Sequence, residues 1–192
     1  MKIADIYQTL ENRQNEEAVL KNGPFFCSER DSHGKMKRGI QEPWLGEGYY
    51  FWDNRIDDAR WWGEINYKTC GYIICKTQYD QHSPLLYDMV GDVKQFDEFV
   101  ECAEFIKRQR KLKRVGFSTV IKALKKDSDF KYKAIRVWPT PEKISITFIR
   151  FPKDGIMLGK LAKIQICFFD KTLLTNPYTI VEKSVSLENQ TI

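Results

Sequence analysis

Residues 45–62, LGEGYYFWDNRIDDARWW, hold the side chains best suited to chemistry in this chain. Gly46 and Gly48 stand two apart, an aromatic run follows from Tyr49 to Trp52, and Trp61 and Trp62 come after a charged stretch. Asp53 or Asn54 can cap a helix there, with Ile56, Ala59 and Trp62 following at helical spacing. Rings on a strand, faced by rings on the next helix, make a slot for a flat heteroaromatic ligand. The competing reading is a strand and a helix that bury their aromatics in a core.

The stretch resembles the nicotinamide-binding segment of ADP-ribosyltransferases, in their diphtheria-toxin and poly(ADP-ribose) polymerase branch. That branch carries G-x-G-[IVL]-Y-F-[AS], then a short helix with a small or polar residue and a second aromatic. Gly46, Gly48, Tyr49, Tyr50, Phe51 and Trp52 fall on the strand part; Asp58, Ala59 and Trp61 fall on the helix part. The resemblance makes Tyr50 the middle residue of the family's His-Tyr-Glu signature, stacked on nicotinamide, with Trp61 closing the other face. Cys27, after Pro24-Phe25-Phe26, takes the histidine position. His33-Gly34 competes for it, but polar residues rather than a strand precede it. Gln165 takes the glutamate position, with alternating apolar residues after it and Asp170 five places on. The signature therefore reads Cys27, Tyr50, Gln165.

The resemblance implies NAD as co-substrate, bound by Cys27, Ser28, Gly46, Gly48, Tyr50, Asp58 and Trp61, with Tyr50 and Gln165 catalytic. The backbone at Cys27 and Ser28 would hydrogen-bond the nicotinamide amide, and Ser28 can add its hydroxyl. Cys27 replaces an imidazole donor with a poor one. Gln165 keeps a hydrogen-bonding amide but supplies neither charge nor base. Losing a preorganised charge costs on the order of 100-fold in rate, which points to slow mono-transfer rather than chain elongation. Asp58 stands where the family often has a small hydroxyl residue, and a carboxylate there can accept from the amide NH2. Asp57 and Asp58 are equally read as ordinary acids in a helix's first turn.

Bulk properties set the frame. A chain of 192 residues with 42% hydrophobic content is one domain with a real core. Five scattered cysteines without a C-x-x-C pair, and two histidines, argue against a structural zinc or a disulfide framework. Reduced thiols suit a cytoplasm. The same scarcity of ligands means that no metal is expected, and no apolar run reaches membrane-spanning length, so no membrane is expected either.

Elements must position these residues. Ile3, Ile6, Tyr7 and Leu10 recur at helical spacing, so residues 1–22 read as a helical N-terminal extension with a second helix over 16–21. Residues 24–27 read as a strand, and 28–43, with seven charges, as a lid or recognition loop. Strands at 47–52 and 72–76 flank a helix at 54–64. Asp92 caps a long helix with Phe96, Phe99, Val100, Ala103 and Ile106 inward. A further helix starts at Phe117 or Ser118 and ends near Lys126, and strands follow at 132–138, 144–151 and 164–169. Residues 172–192 are a last strand or a docking tail. The order implies α+β, and the resemblance implies a split, mostly antiparallel sheet pair around a NAD cleft with flanking helices.

Residues 107–126 contain nine Lys or Arg and no acid, among them Arg108, Arg110, Lys111, Lys113 and Arg114. One reading is a phosphate-binding patch for RNA or DNA. The other is a helix with acids at its start and bases at its end, matching its dipole. Three functions follow. The first is a NAD-dependent mono-ADP-ribosyltransferase, a toxin or antiviral defence effector acting on nucleic acid or protein. The second is an inactive binder of NAD, ADP-ribose or a partner. The third is a phosphate-transfer or nucleic-acid-binding module. A NAD-consuming enzyme harms its host, so an inhibitory partner protein is expected with the first.

Overall fold

The computed structural model describes residues 1–31, 33, 35–37, 42–139, 148–151, 153, 155–159, 163–175 and 177–185. The expected strand start at 144–147 and the end of the tail, 186–192, lie outside the described residues.

The elements in chain order are β1 (Ile3–Glu11), α1 (Glu16–Asn22), β2 (Tyr49–Asp53), α2 (Ile56–Asn66), β3 (Tyr72–Asp80) and β4 (Leu86–Asp88). Then come α3 (Val93–Gln109), α4 (Phe117–Leu124), β5 (Ala134–Val137), β6 (Phe148–Phe151), β7 (Ile156–Gly159), β8 (Gln165–Phe168) and β9 (Thr179–Lys183). Seven strands form one sheet in the order β4-β5-β8-β2-β1-β3-β9, and β6 pairs with β7 apart from it. Among the described strands only β4 and β5 pair in parallel. The class is α+β with a mostly antiparallel sheet. None of its described helices is long and apolar enough to cross a membrane.

The expected N-terminal helix is instead β1. It pairs with β3 along its whole length, from Ile3 opposite Asp80 to Glu11 opposite Tyr72. Its Ala4 and Ile6 pack on one side of the sheet with Phe51, Tyr79 and Phe168, while Tyr7 packs on the other with Trp52 and Tyr72. A strand covered on both faces loses strict alternation, and its apolar residues can then mimic helical spacing. Residues 24–27 do not form a strand either: Cys27 makes an isolated bridge with Gly48. Residues 179–183 are a final strand at the sheet edge, pairing with β3.

The sheet is notched between β1 and β2. Those strands pair only at Ile6 opposite Asp53 and Tyr7 opposite Trp52. Beyond that point β2 turns to its other neighbour, pairing with β8 from Trp52 opposite Gln165 to Tyr49 opposite Phe168.

Helices cover the Tyr50–Trp52 face in two blocks. One is α2, whose Ala59 is buried with Trp52, Tyr72 and Ile74. The other is α3 with α4, whose Phe99, Ile106, Val120 and Ile121 bury Tyr87, Ile135 and Cys167. Asp92 caps α3 as expected, accepting from the Lys94 and Gln95 amides. The buried stripe of α3 carries Phe99 and Ile106, whereas Phe96 and Val100 are exposed. The inward face of α3 is therefore rolled toward Cys102 and Ala103, away from the Phe96 and Val100 side that the spacing predicts. Neither Asp53 nor Asn54 caps α2. Arg55 holds the cap position without a side-chain hydrogen bond, and Asp53 is committed elsewhere.

Asp53 serves a buried network on the opposite face. Arg136 donates to Asp53 at 2.8 Å and to Asp88 at 3.0 Å, and the Tyr79 hydroxyl donates to Asp53 at 3.1 Å. The side chains of Asp53 and Arg136 are 1% and 10% exposed. Burial at this level is tolerable because charges and lone pairs are matched.

Candidate ligand cleft

A cleft of ≈ 700 Å³ opens at the notch, between α2 and the Trp44 side of the molecule. Its floor is Gln8, Thr9 and Leu10 from β1 and Tyr50, Phe51 and Trp52 from β2. Phe25, Phe26, Cys27 and Ser28 form one wall, Trp62 and Tyr67 another, and Pro43, Trp44 and Gln165 a third. Arg13 and Lys37 contribute its charges, and no carboxylate residue lines it among the described residues. An apolar, aromatic cavity with a few placed polar groups is the usual form of a small-molecule site.

The residues expected at 27, 28, 50 and 165 meet here. Cys27 is held by two backbone bonds with Gly48, its amide donating at 2.8 Å and its carbonyl accepting at 3.1 Å. Those bonds use the backbone groups of Cys27 that the resemblance assigned to the nicotinamide amide. The Ser28 hydroxyl donates to the Glu47 carboxylate, and Lys37 donates to the Ser28 carbonyl at 3.1 Å. Cys27 is exposed as a residue, yet partial desolvation of its thiol pushes the pKa up from its ordinary value, with Lys37 opposing.

Tyr50 packs its ring against the α3–α4 core. Its hydroxyl accepts from the Leu45 amide at 2.9 Å and donates to the Gly46 carbonyl at 2.7 Å. Burial pushes the phenol far up, so it stays neutral. The ring is thereby fixed, with its hydroxyl spent on the 43–46 turn rather than on a ligand.

Gln165 opens β8. The Trp44 indole donates to its Oε1 at 2.7 Å. An indole N–H only donates, so the amide oxygen must face it and the NH2 is left beside the cleft. Trp44 rests against Phe117 of α4, ring centroids 5.1 Å apart.

The two glycines shape the site rather than line it. Gly46 has φ +81°, a left-handed conformation that suits glycine. A Cβ on Gly48 would lie 2.4 Å from Cys167 Sγ and 2.6 Å from the Phe168 carbonyl oxygen, so only glycine lets β2 approach β8 this closely.

Two expected contacts fall elsewhere. Trp61 is not part of the cleft lining. It packs edge-on against Trp52 at 6.0 Å, with the Lys163 ammonium 3.5 Å above its ring. Its neighbour Trp62, 37% exposed, takes the cleft position. The roll of α2 is set by Ala59 under Trp52 and Tyr72, which the spacing alone did not resolve. Asp58 is buried and also off the lining. Its carboxylate accepts from the Lys163 amide at 2.6 Å and pairs with Arg55 at 3.4 Å. That contact lies two residues before Gln165, so Asp58 positions the β8 entry. The rival His33 is exposed and lies outside the lining.

Gln8 and Trp44 went unnoticed in the sequence. Gln8 is 6% exposed, and its amide is fully employed. It donates to the Phe25 and Tyr50 carbonyls at 2.9 and 3.3 Å and accepts from the Phe25 amide and the Tyr178 hydroxyl at 2.9 and 2.7 Å. It thus supplies residues 24–27 with the partner that a strand would have given. The signal was a long polar side chain inside an apolar strand; for Trp44 it was a tryptophan directly before the glycine turn.

The basic residues Arg108, Arg110, Lys111, Lys113 and Arg114 are exposed and lie outside the cleft, around the end of α3. Among the described residues, no group of three or more His, Cys, Asp or Glu could hold a metal ion. No family model matches the chain, and no curated protein or solved structure matches it.

Proposed function

We propose that the cleft binds NAD and that the protein transfers ADP-ribose from it to a macromolecular acceptor. The observation that carries this reading is convergence. Cys27, Ser28, Tyr50 and Gln165 come from three distant segments, and all line one aromatic-walled cleft at the sheet notch. Its volume lies within the roughly 300–1,000 Å³ of small-molecule sites. Lys37 suits a pyrophosphate, and Arg13 can join it by leaving Glu11, with which it now pairs at 2.7 Å. In this reading Tyr50 and Trp62 present the rings that hold the nicotinamide, Trp62 replacing Trp61.

In the reaction, the bond between nicotinamide nitrogen and ribose C1′ breaks and its electron pair leaves on nicotinamide. The acceptor's nucleophile bonds to C1′ and loses its proton to solvent or a nearby base. Positive charge develops on the ribose as the bond breaks, and a carboxylate at 165 would offset it. Gln165 supplies a dipole only, so turnover is slow. A role as a toxin or defence effector, with a partner that masks the cleft, belongs to the same proposal.

The second reading is a binder of NAD or ADP-ribose without turnover. The absence of a lining carboxylate among the described residues favours it. One experiment separates the two. The protein is incubated with NAD labelled on the adenylate phosphate and with cell lysate. Label transferred to a macromolecule supports transfer. Thermal stabilisation by NAD without transfer supports binding alone. No effect of NAD in either assay removes both.

A further inference from the structure

The α3–α4 connection gathers positive charge on an exposed surface. Arg108, Arg110, Lys111, Lys113 and Arg114 are all exposed. Among the described residues none of the five forms an ion pair, whereas Lys107 pairs with Glu104 and Lys122 with Glu42. The helix dipole accounts for part of this. It acts within the last turn, and α3 ends at Gln109, so Lys113 and Arg114 stand beyond its reach.

The turn that ends α3 is well defined. The Leu112 amide donates to the Lys107 carbonyl and the Lys111 amide to the Arg108 carbonyl, with Lys111 at φ 51°. This is a Schellman closure with lysine where glycine is usual. It turns the chain so that cations sit on both sides of the bend.

A short link of chain joins the last cation of the patch to a residue that braces the cleft wall. Arg114 is three residues from Phe117, a span of at most about 11 Å. Phe117 rests against Trp44, and Trp44 bonds Gln165. An exposed ring accompanies the charge: Phe105 is 56% exposed and lies one helical turn before Arg108. Cations that follow a backbone, together with an exposed ring on which bases stack, match an unpaired nucleic-acid strand.

We propose that residues 105–114 dock a single-stranded nucleic acid and present it to the Gln165 side of the cleft. The inference deepens the transferase reading by naming the acceptor class, and rests on that reading for the acceptor role alone. RNA and DNA share the chemistry that docks here.

The test is fluorescence anisotropy of short labelled single strands of RNA and of DNA, and of the matching duplex, across a salt series. Five phosphate contacts give a log-affinity slope against log salt of about −3.5. The combined variant Arg110→Ala, Lys111→Ala, Lys113→Ala, Arg114→Ala brings that slope to about −0.7 and weakens binding tenfold or more at low salt. Phe105→Ala weakens single-strand binding about tenfold and leaves the duplex unchanged. A single strand bound without salt dependence, or equally well by the combined variant, overturns the proposal. Equal competition by polyglutamate overturns it in favour of an acidic protein partner. Thermal stabilisation by NAD is read on the same samples and stays unchanged in the combined variant. NAD without effect, alongside salt-dependent strand binding, overturns the cleft reading and leaves the docking surface standing.

Discussion

The Trp44 indole donates to the Gln165 amide oxygen at 2.7 Å, joining positions 121 residues apart. This bond fixes which end of the amide meets a ligand. The oxygen is turned to the indole, so the group beside the cleft is an NH2 donor, where the resembled family offers an acceptor.

Gln165→Glu keeps an oxygen for Trp44 and places a second, charged oxygen beside the cleft. Nicotinamide release from NAD should rise on the order of tenfold or more. A slower variant would mean that residue 165 is tuned as an amide, and the comparison with a glutamate would lose its footing.

Trp61 and Trp62 should separate cleanly. Trp62→Ala removes an exposed cleft ring that also rests on Trp52 at 5.9 Å, and should weaken NAD about tenfold with a smaller loss of stability than Trp61→Ala. Trp61→Ala removes packing on Trp52 and should lower stability by roughly 2–4 kcal/mol while NAD still binds. Calorimetric titration and urea unfolding read the two effects. The opposite assignment would restore Trp61 as the ligand-facing ring.

Arg136→Ala leaves the Asp53 carboxylate buried and unpaired, at a cost of about 3–5 kcal/mol. The midpoint of urea unfolding should fall accordingly. A loss below about 1 kcal/mol would show that Asp53 finds other compensation.

Cys27 should report on the cleft through alkylation. Its raised pKa means that a smaller fraction is thiolate at any given pH than in a free thiol. Iodoacetamide should therefore modify it more slowly than a free cysteine at pH 8, with a rate that is still climbing at pH values where the free thiol's has levelled off. Bound NAD should protect it. Mass spectrometry of the Cys27 peptide with and without NAD measures both effects, and unprotected Cys27 at saturating NAD would place the ligand elsewhere.

The legible parts of the fold are those with local causes. Asp92 before an apolar stripe announces α3, and the Gly46–Trp52 pattern announces β2. Less legible were features set across the sheet. β1 is a strand because β3, some 70 residues away, hydrogen-bonds to it throughout; its own residues fit a helix as well. Asp53 was a plausible cap until Arg136 claimed it. In the site, the resemblance pointed residues 27, 50 and 165 to a shared place, and all three line one cleft, whereas the choice between Trp61 and Trp62 turned on a helix roll that only packing decides. The supporting amides and indoles, Gln8 and Trp44, act through long-range bonds that no spacing reveals.

Gln8 gives the cleft a hinge side and a yielding side. Two of its hydrogen bonds tie the floor to Phe25, one ties it to Tyr178, and the fourth joins β1 to Tyr50 within the floor, so that corner opens only if several bonds break together. Across the gap, the Trp44 side chain is held by one hydrogen bond and a ring contact. A ligand too wide for the cleft should therefore displace Trp44 before it displaces residues 24–27, and losing the Trp44 bond would free the Gln165 amide to turn.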